Sequence, residues 1–99
     1  MEQSNKLFIL IDKRLSRSQQ AVQASHAAID FALQYGRDWK HQSLVLLAVD
    51  GRDELERWNQ DFLDKGYKVS CFREPYYQNG MTAVVCHGCD NDVKELKLV

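Results

Sequence analysis

Leu7-Phe8-Ile9-Leu10-Ile11 is an unbroken apolar run, and Asp12-Lys13-Arg14-Leu15-Ser16 leads from it into a segment of different period. Five consecutive apolar residues are the mark of a strand covered on both faces, because alternate side chains then point into two apolar layers. Beyond the turn, Val22, His26, Ile29 and Leu33 recur at helical spacing, with Ala21, Ala28 and Ala32 among them. The spacing predicts a helix from Ser16 or Ser18 to Tyr35. A serine caps its start by accepting a backbone N–H, and Gly36 ends it in a left-handed turn. A buried strand running straight into a helix is the first half of a βαβ unit, which calls for a second, parallel strand further along the chain.

Ser43 to Val49 is a second buried-strand run. Asp50-Gly51-Arg52-Asp53 opens a second helix, in which Leu55, Trp58 and Phe62 mark the inner face and Gly66 the stop. Val69 to Phe72 and Thr82 to Cys86 read as two more strands, joined by a turn-rich loop from Pro75 to Gly80. The tail, Asp92 to Val99, fits a short helix or an extended piece. The order is β-α-β-α-β-β. Helical crossovers make the first three strands parallel, and the short last loop turns the fourth antiparallel. The expectation is an α/β fold: a mixed four-stranded sheet with helices on its faces, in one domain spanning 1–99.

Composition sets the outer limits. The chain has 99 residues, 44% of them hydrophobic and 27% charged, which is globular rather than disordered. A net charge of −1 means that any grip on an anionic partner comes from a local basic cluster. Three cysteines without a disulfide pattern favour a reducing compartment. The apolar runs are too short to span a bilayer, and Met1 to Lys6 lacks the apolar stretch of a secretory signal. A cytoplasmic protein with no membrane partner is expected.

The topology gathers Asp12–Gln19, Asp50–Asp53 and Arg73-Glu74 at the ends of the parallel strands, where open α/β sheets bind ligands. Thr82, at the start of the antiparallel strand, joins them. Lys13, Arg14 and Arg17 flank the first turn of helix one, whose free N–H groups suit a phosphate; a solvated charged loop has the same composition. Gln19, Gln23, His26 and Asp30 form one polar stripe along that helix. The stripe is either a solvent face or a set whose upper end, Gln19 and Gln23, enters the site, with His26 one turn deeper and Asp30 as its partner. Glu74, stiffened by Pro75, is a candidate general base for water or an ordinary ion-pair partner of Arg73. Tyr76 and Tyr77 offer rings to a nucleobase, or are plain loop tyrosines.

Cys86-His87-Gly88-Cys89 has the look of half a metal site, but zinc wants four ligands and no second C-x-x-C exists. No Gly-rich phosphate loop or nucleophile elbow is present either. No metal and no cofactor are expected.

Asp12-Lys13-Arg14-Leu15-Ser16-Arg17-Ser18-Gln19-Gln20-Ala21-Val22-Gln23-Ala24-Ser25-His26-Ala27-Ala28 resembles the first-helix signature of the second structural class of peptidyl-tRNA hydrolases. That signature is an Asp, a short Gly/Lys-rich turn, then Ala-x-Gln-x-x-His-Ala. The resemblance continues through Trp39, the strand Leu44–Asp50, the helix Asp53–Gly66, the Arg73-acidic pair, Thr82-Ala83 and the closing Leu96-Lys97-Leu98. It implies a three-layer α/β/α sandwich and hydrolysis of the ester between a peptide and the 3′ end of tRNA. By that resemblance Gln19, Glu74 and Thr82 are the catalytic candidates, with Lys13, Arg14, Arg17, Gln23, His26, Arg73 and Tyr76 on the substrate. Glu74 would orient or deprotonate water, Thr82 would hold the carboxylate or the substrate, and helix-one N–H groups would meet the oxyanion. Two departures bear on activity. The family's catalytic lysine is here Gln19, and its Asp after Arg is here Glu74. Losing one charged donor costs on the order of 3 kcal/mol, or about a hundredfold in rate. The competing expectation is therefore a non-catalytic RNA- or nucleotide-binding member. A domain this small also leaves a homodimer open.

Overall fold

A computed structural model describes residues 6–36 and 43–99. Strands β1 (Lys6–Asp12), β2 (Ser43–Val49), β3 (Val69–Glu74) and β4 (Gly80–His87) form one sheet in the order β2-β1-β4-β3. β1 and β2 run parallel, while β4 is antiparallel to both β1 and β3. The first three strands therefore point the same way, as expected from the crossovers. Trp39, part of the family resemblance, lies outside the described residues.

Helices α1 (Arg17–Tyr35) and α2 (Arg52–Asp64) take opposite faces of this sheet. The alternation along β1 shows it: Leu7, Ile9 and Ile11 pack with Ala24, Ala27 and Phe31 of α1. Phe8 and Leu10 pack with Leu55 and Phe62 of α2. An apolar run without polar interruption is what a strand needs when both its faces are covered.

Two local expectations need correction. Val22, Ile29 and Leu33 announced the helix but face outward, at 44%, 58% and 81% exposure. Small Ala24 and Ala27 with Phe31 form the inner face instead, which lets α1 sit close to the sheet. Gly36 keeps right-handed helical backbone (φ −52°, ψ −28°), so no left-handed turn closes α1 there. Ser16 is the cap, accepting from Gln19 N at 3.1 Å. The tail, whose sequence fits either a short helix or an extended piece, runs through turns to Glu95 and is extended only from Leu96 on. Ala48 N donates to Lys97 O at 2.8 Å, Val99 N donates to Leu46 O at 3.1 Å, and Leu98 bridges Leu47. These bonds cover part of the outer edge of β2. Among the described residues no helix is long and apolar enough to cross a membrane.

Candidate functional site

The site begins with an irregularity in β4. Phe72 pairs with Ala83 but Arg73 pairs with Met81, so Thr82 is an extra residue that faces no partner. A bulge of this kind re-aims a side chain. Met81 packs in the α2 core and Ala83 in the α1 core. The bulge thereby turns Thr82, 3% exposed, toward α1.

There Thr82 Oγ1 donates to Gln23 Oε1 at 2.8 Å, with Phe72 O at 3.4 Å as a second acceptor. Gln23, only 1% exposed, passes the contact on: its Nε2 donates to Glu74 Oε2 at 3.0 Å and to Gln19 Oε1 at 3.3 Å. The amide orientation is set by chemistry. Turned round, its oxygen would face both the Glu74 carboxylate and the Gln19 carbonyl. Glu74 Oε1 also accepts from Tyr76 N at 3.4 Å, capping the 3₁₀ turn Pro75–Tyr77. Thr82 thus reaches the carboxylate through Gln23, not directly. Gln19 Nε2 has no hydrogen-bond partner among the described residues, so its donor end is open to a ligand.

Glu74 forms no ion pair among the described residues. Strand alternation sends Arg73 to the other face, where Glu56 takes it with two bonds of 2.6 and 2.8 Å. That pair raises the Arg73 guanidinium and holds the Glu56 carboxyl below its ordinary range. The carboxylate of Glu74 is left half-buried, hydrogen-bonded and without a cation among the described residues. Such a carboxylate still has lone pairs that can accept a hydrogen bond from a water molecule. Arg73 does not join this group.

His26 lies one turn below Gln23, exposed, with its ring stacked on Phe72 at 4.4 Å and 5°. No hydrogen bond joins it to Asp30 among the described residues. Tyr76 is 93% exposed beside Glu74. The basic residues sit elsewhere. Arg14 Nε donates to Asp50 Oδ1 at 3.0 Å, a bond that raises the guanidinium above its ordinary pKa. The guanidinium lies over Gly51 so closely that a Cβ there would meet Arg14 Cζ at 2.9 Å. Asp50 comes after β2 and Glu74 ends β3, three strand spacings or roughly 14 Å apart along the edge. Lys13 and Arg17 form no ion pair among the described residues.

Cys86 and Cys89 are fully buried core residues, and a bond to Cys89 together with burial pushes the Cys86 thiol far up. Among the described residues no three His, Cys, Asp or Glu side chains come together as a metal would require. Reading the sequence missed Phe72 as the platform for His26 and Gln20 as a buried amide, since neither breaks a pattern. It also missed a cluster beside α2: Tyr67 Oη donates to Asp92 Oδ2 at 2.5 Å, and Lys65 Nζ donates to Asp92 Oδ1.

The sequence matches no protein-family model and no curated protein. Its fold is similar to that of a protein of unknown function from Agrobacterium tumefaciens strain C58. The TM-score is 0.76 at 14% identity, over 95% of this chain and 96% of that one.

Proposed function

We propose that this chain is a peptidyl-tRNA hydrolase-like enzyme that hydrolyses the ester between a peptide, or an N-blocked amino acid, and tRNA in the cytoplasm. The observation that carries the reading is the Thr82–Gln23–Glu74 relay, which presents at the strand ends a carboxylate without an ion pair among the described residues. The resemblance of the first helix to the hydrolase signature supplies the substrate class.

In this reading Glu74 accepts a proton from a water molecule as the oxygen attacks the ester carbonyl. The C–O bond to the 3′ oxygen of tRNA then breaks, and that oxygen takes up a proton as it leaves. The open Gln19 Nε2 donates to the carbonyl oxygen as negative charge develops on it. It does so without the positive charge a lysine would bring, so turnover is expected to be slow. Thr82 and Gln23 are positioning residues that fix Glu74. Tyr76 offers a ring to the terminal base, and Lys13 and Arg17 attract the phosphates further along the edge.

The test is peptide release from an N-blocked aminoacyl-tRNA by the native protein, Glu74→Ala and Gln19→Lys. Slow native release, lost in Glu74→Ala and accelerated in Gln19→Lys, supports the reading. No release by any of the three overturns it. Lys13 and Arg17, without ion pairs among the described residues, favour a second reading, a catalytically impaired RNA-binding module. In that case RNA binds to the intact protein without turnover, and charge reversal at both positions lowers affinity and flattens its salt dependence.

A further inference from the structure

On the far flank of α1 from Glu74, a cavity of about 470 Å³ opens between the helix, β2 and the tail. That volume is in the range of small-molecule sites. It exists because α1 packs mainly on β3, β1 and β4 and among the described residues leaves Leu46 and Ala48, on the α1 side of β2, as a partly open floor. Leu98 of the tail, held by its bridge to Leu47, forms a wall. Lys13 and Arg17 stand at one end with no ion pair among the described residues.

The third feature is Gln20, 8% exposed and in the wall of the cavity. Its Nε2 donates to Leu15 O at 2.8 Å and to Lys13 O at 3.4 Å. These two acceptors fix the amide, since a turned amide would bring its oxygen against two carbonyls. Oε1 is therefore held in place, and it is buried with no hydrogen-bond partner among the described residues. A buried acceptor left unpaired is uncommon and calls for an explanation. Because the atom is closed off from solvent, an occupant's N–H reaches it only where the wall shifts.

We propose that this cavity binds the C-terminal end of an apolar peptide or an N-acylated apolar amino acid. Each part of such a ligand has a counterpart. The carboxylate meets Lys13 and Arg17, the side chain rests on Leu46, Ala48 and Leu98, and the amide N–H meets Gln20 Oε1. A bare anion leaves the apolar floor unused, and a hydrocarbon leaves the cations and Oε1 unused. The site needs no chemistry from Glu74, which does not line it, so it can be tested without the hydrolase reading, although it shares Lys13 and Arg17 with the phosphate contacts proposed there.

The experiment is a titration of the isotopically labelled protein with N-acetyl-leucine, followed by amide chemical shifts. Saturable shifts clustered on Lys13, Arg17, Gln20, Ala48 and Leu98 are expected. N-acetyl-leucine amide, lacking the charge, should bind at least tenfold more weakly, and 4-methylpentanoate, lacking the N–H, several-fold more weakly. Lys13→Glu combined with Arg17→Glu should abolish binding, as should Ala21→Trp, which fills the cavity from the exposed face of α1. Scattered or non-saturable shifts overturn the proposal. So does equal binding of the uncharged amide, or undiminished binding by folded Ala21→Trp.

Discussion

Replacing Thr82 by valine removes one hydroxyl and keeps the branched shape. In the native protein that hydroxyl donates to Gln23 Oε1 at 2.8 Å, and Gln23 is 1% exposed. The substitution leaves a buried amide oxygen without its donor, which costs about 2 kcal/mol. Unfolding entropy near the transition is about 2.1 cal/mol/K per residue, so a chain of 99 residues loses roughly 10 °C of Tm. Scanning calorimetry measures this directly, and urea unfolding with an unchanged slope confirms that stability alone has moved. Gln23→Met supplies the control, since it removes the acceptor while keeping an unbranched chain. On that background Thr82→Val should cost under about 0.5 kcal/mol, a coupling of 1 to 2 kcal/mol between neighbours. A Tm drop below about 2 °C, or the same drop on both backgrounds, refutes the relay.

The same geometry fixes other outcomes. Gly51→Ala should destabilise by about 1–2 kcal/mol in urea unfolding, because φ at Gly51 is +94° and the Arg14 guanidinium, 2.9 Å from where a Cβ would stand, has to move aside. The bond to Asp92 lifts the Tyr67 phenol to about 12. A raised folded value means that its contribution is full below the free phenol's pKa of about 10 and is lost as pH rises from there to about 12. An ultraviolet titration should show one late tyrosine, returning toward 10 in Asp92→Asn. Glu56, held low by Arg73, works in the opposite sense. Its contribution is present above the ordinary carboxylate range and is lost as acid protonates it below that range. Because both partners are 44% exposed, Glu56→Gln should cost less than about 1 kcal/mol at neutral pH, measured by urea unfolding.

The elements that read well from sequence are those whose burial leaves a one-dimensional trace. The apolar run of β1 announced a doubly covered strand, and the helices between strands dictated the strand directions; the similar run of β2 belongs to an edge strand in which only Leu47 and Val49 are buried. α1 was legible as a helix but not in its orientation. Its outward Val22, Ile29 and Leu33 are larger than its inward alanines, and periodicity weighs size over side. The bulge at Thr82 left no trace, because it depends on which residues of β3 and β4 face each other across the sheet. That one extra residue brings Thr82 to Gln23, and through Gln23 to Glu74. The grouping of Gln19, Gln23, Glu74 and Thr82 could be anticipated because topology sends their segments to one edge. The separation of Arg73 from them comes from strand alternation, which places neighbours on opposite faces. The pairing of Arg14 with Asp50 needed the parallel register of β1 and β2, and the tail's place along β2 needed the bonds of Lys97 and Val99.

The central claim is that Glu74 is the group that activates water, and the direct test is chemical rescue. Peptide release from an N-blocked aminoacyl-tRNA is measured for the native protein, for Glu74→Ala, and for Glu74→Ala with added formate. The expected result is native release, a fall of about 10²–10⁴-fold in Glu74→Ala, and partial recovery as formate enters the vacated space below Tyr76 and beside Gln23. Release by Glu74→Ala at the native rate would contradict the claim, because the carboxylate would then be a structural cap and nothing more.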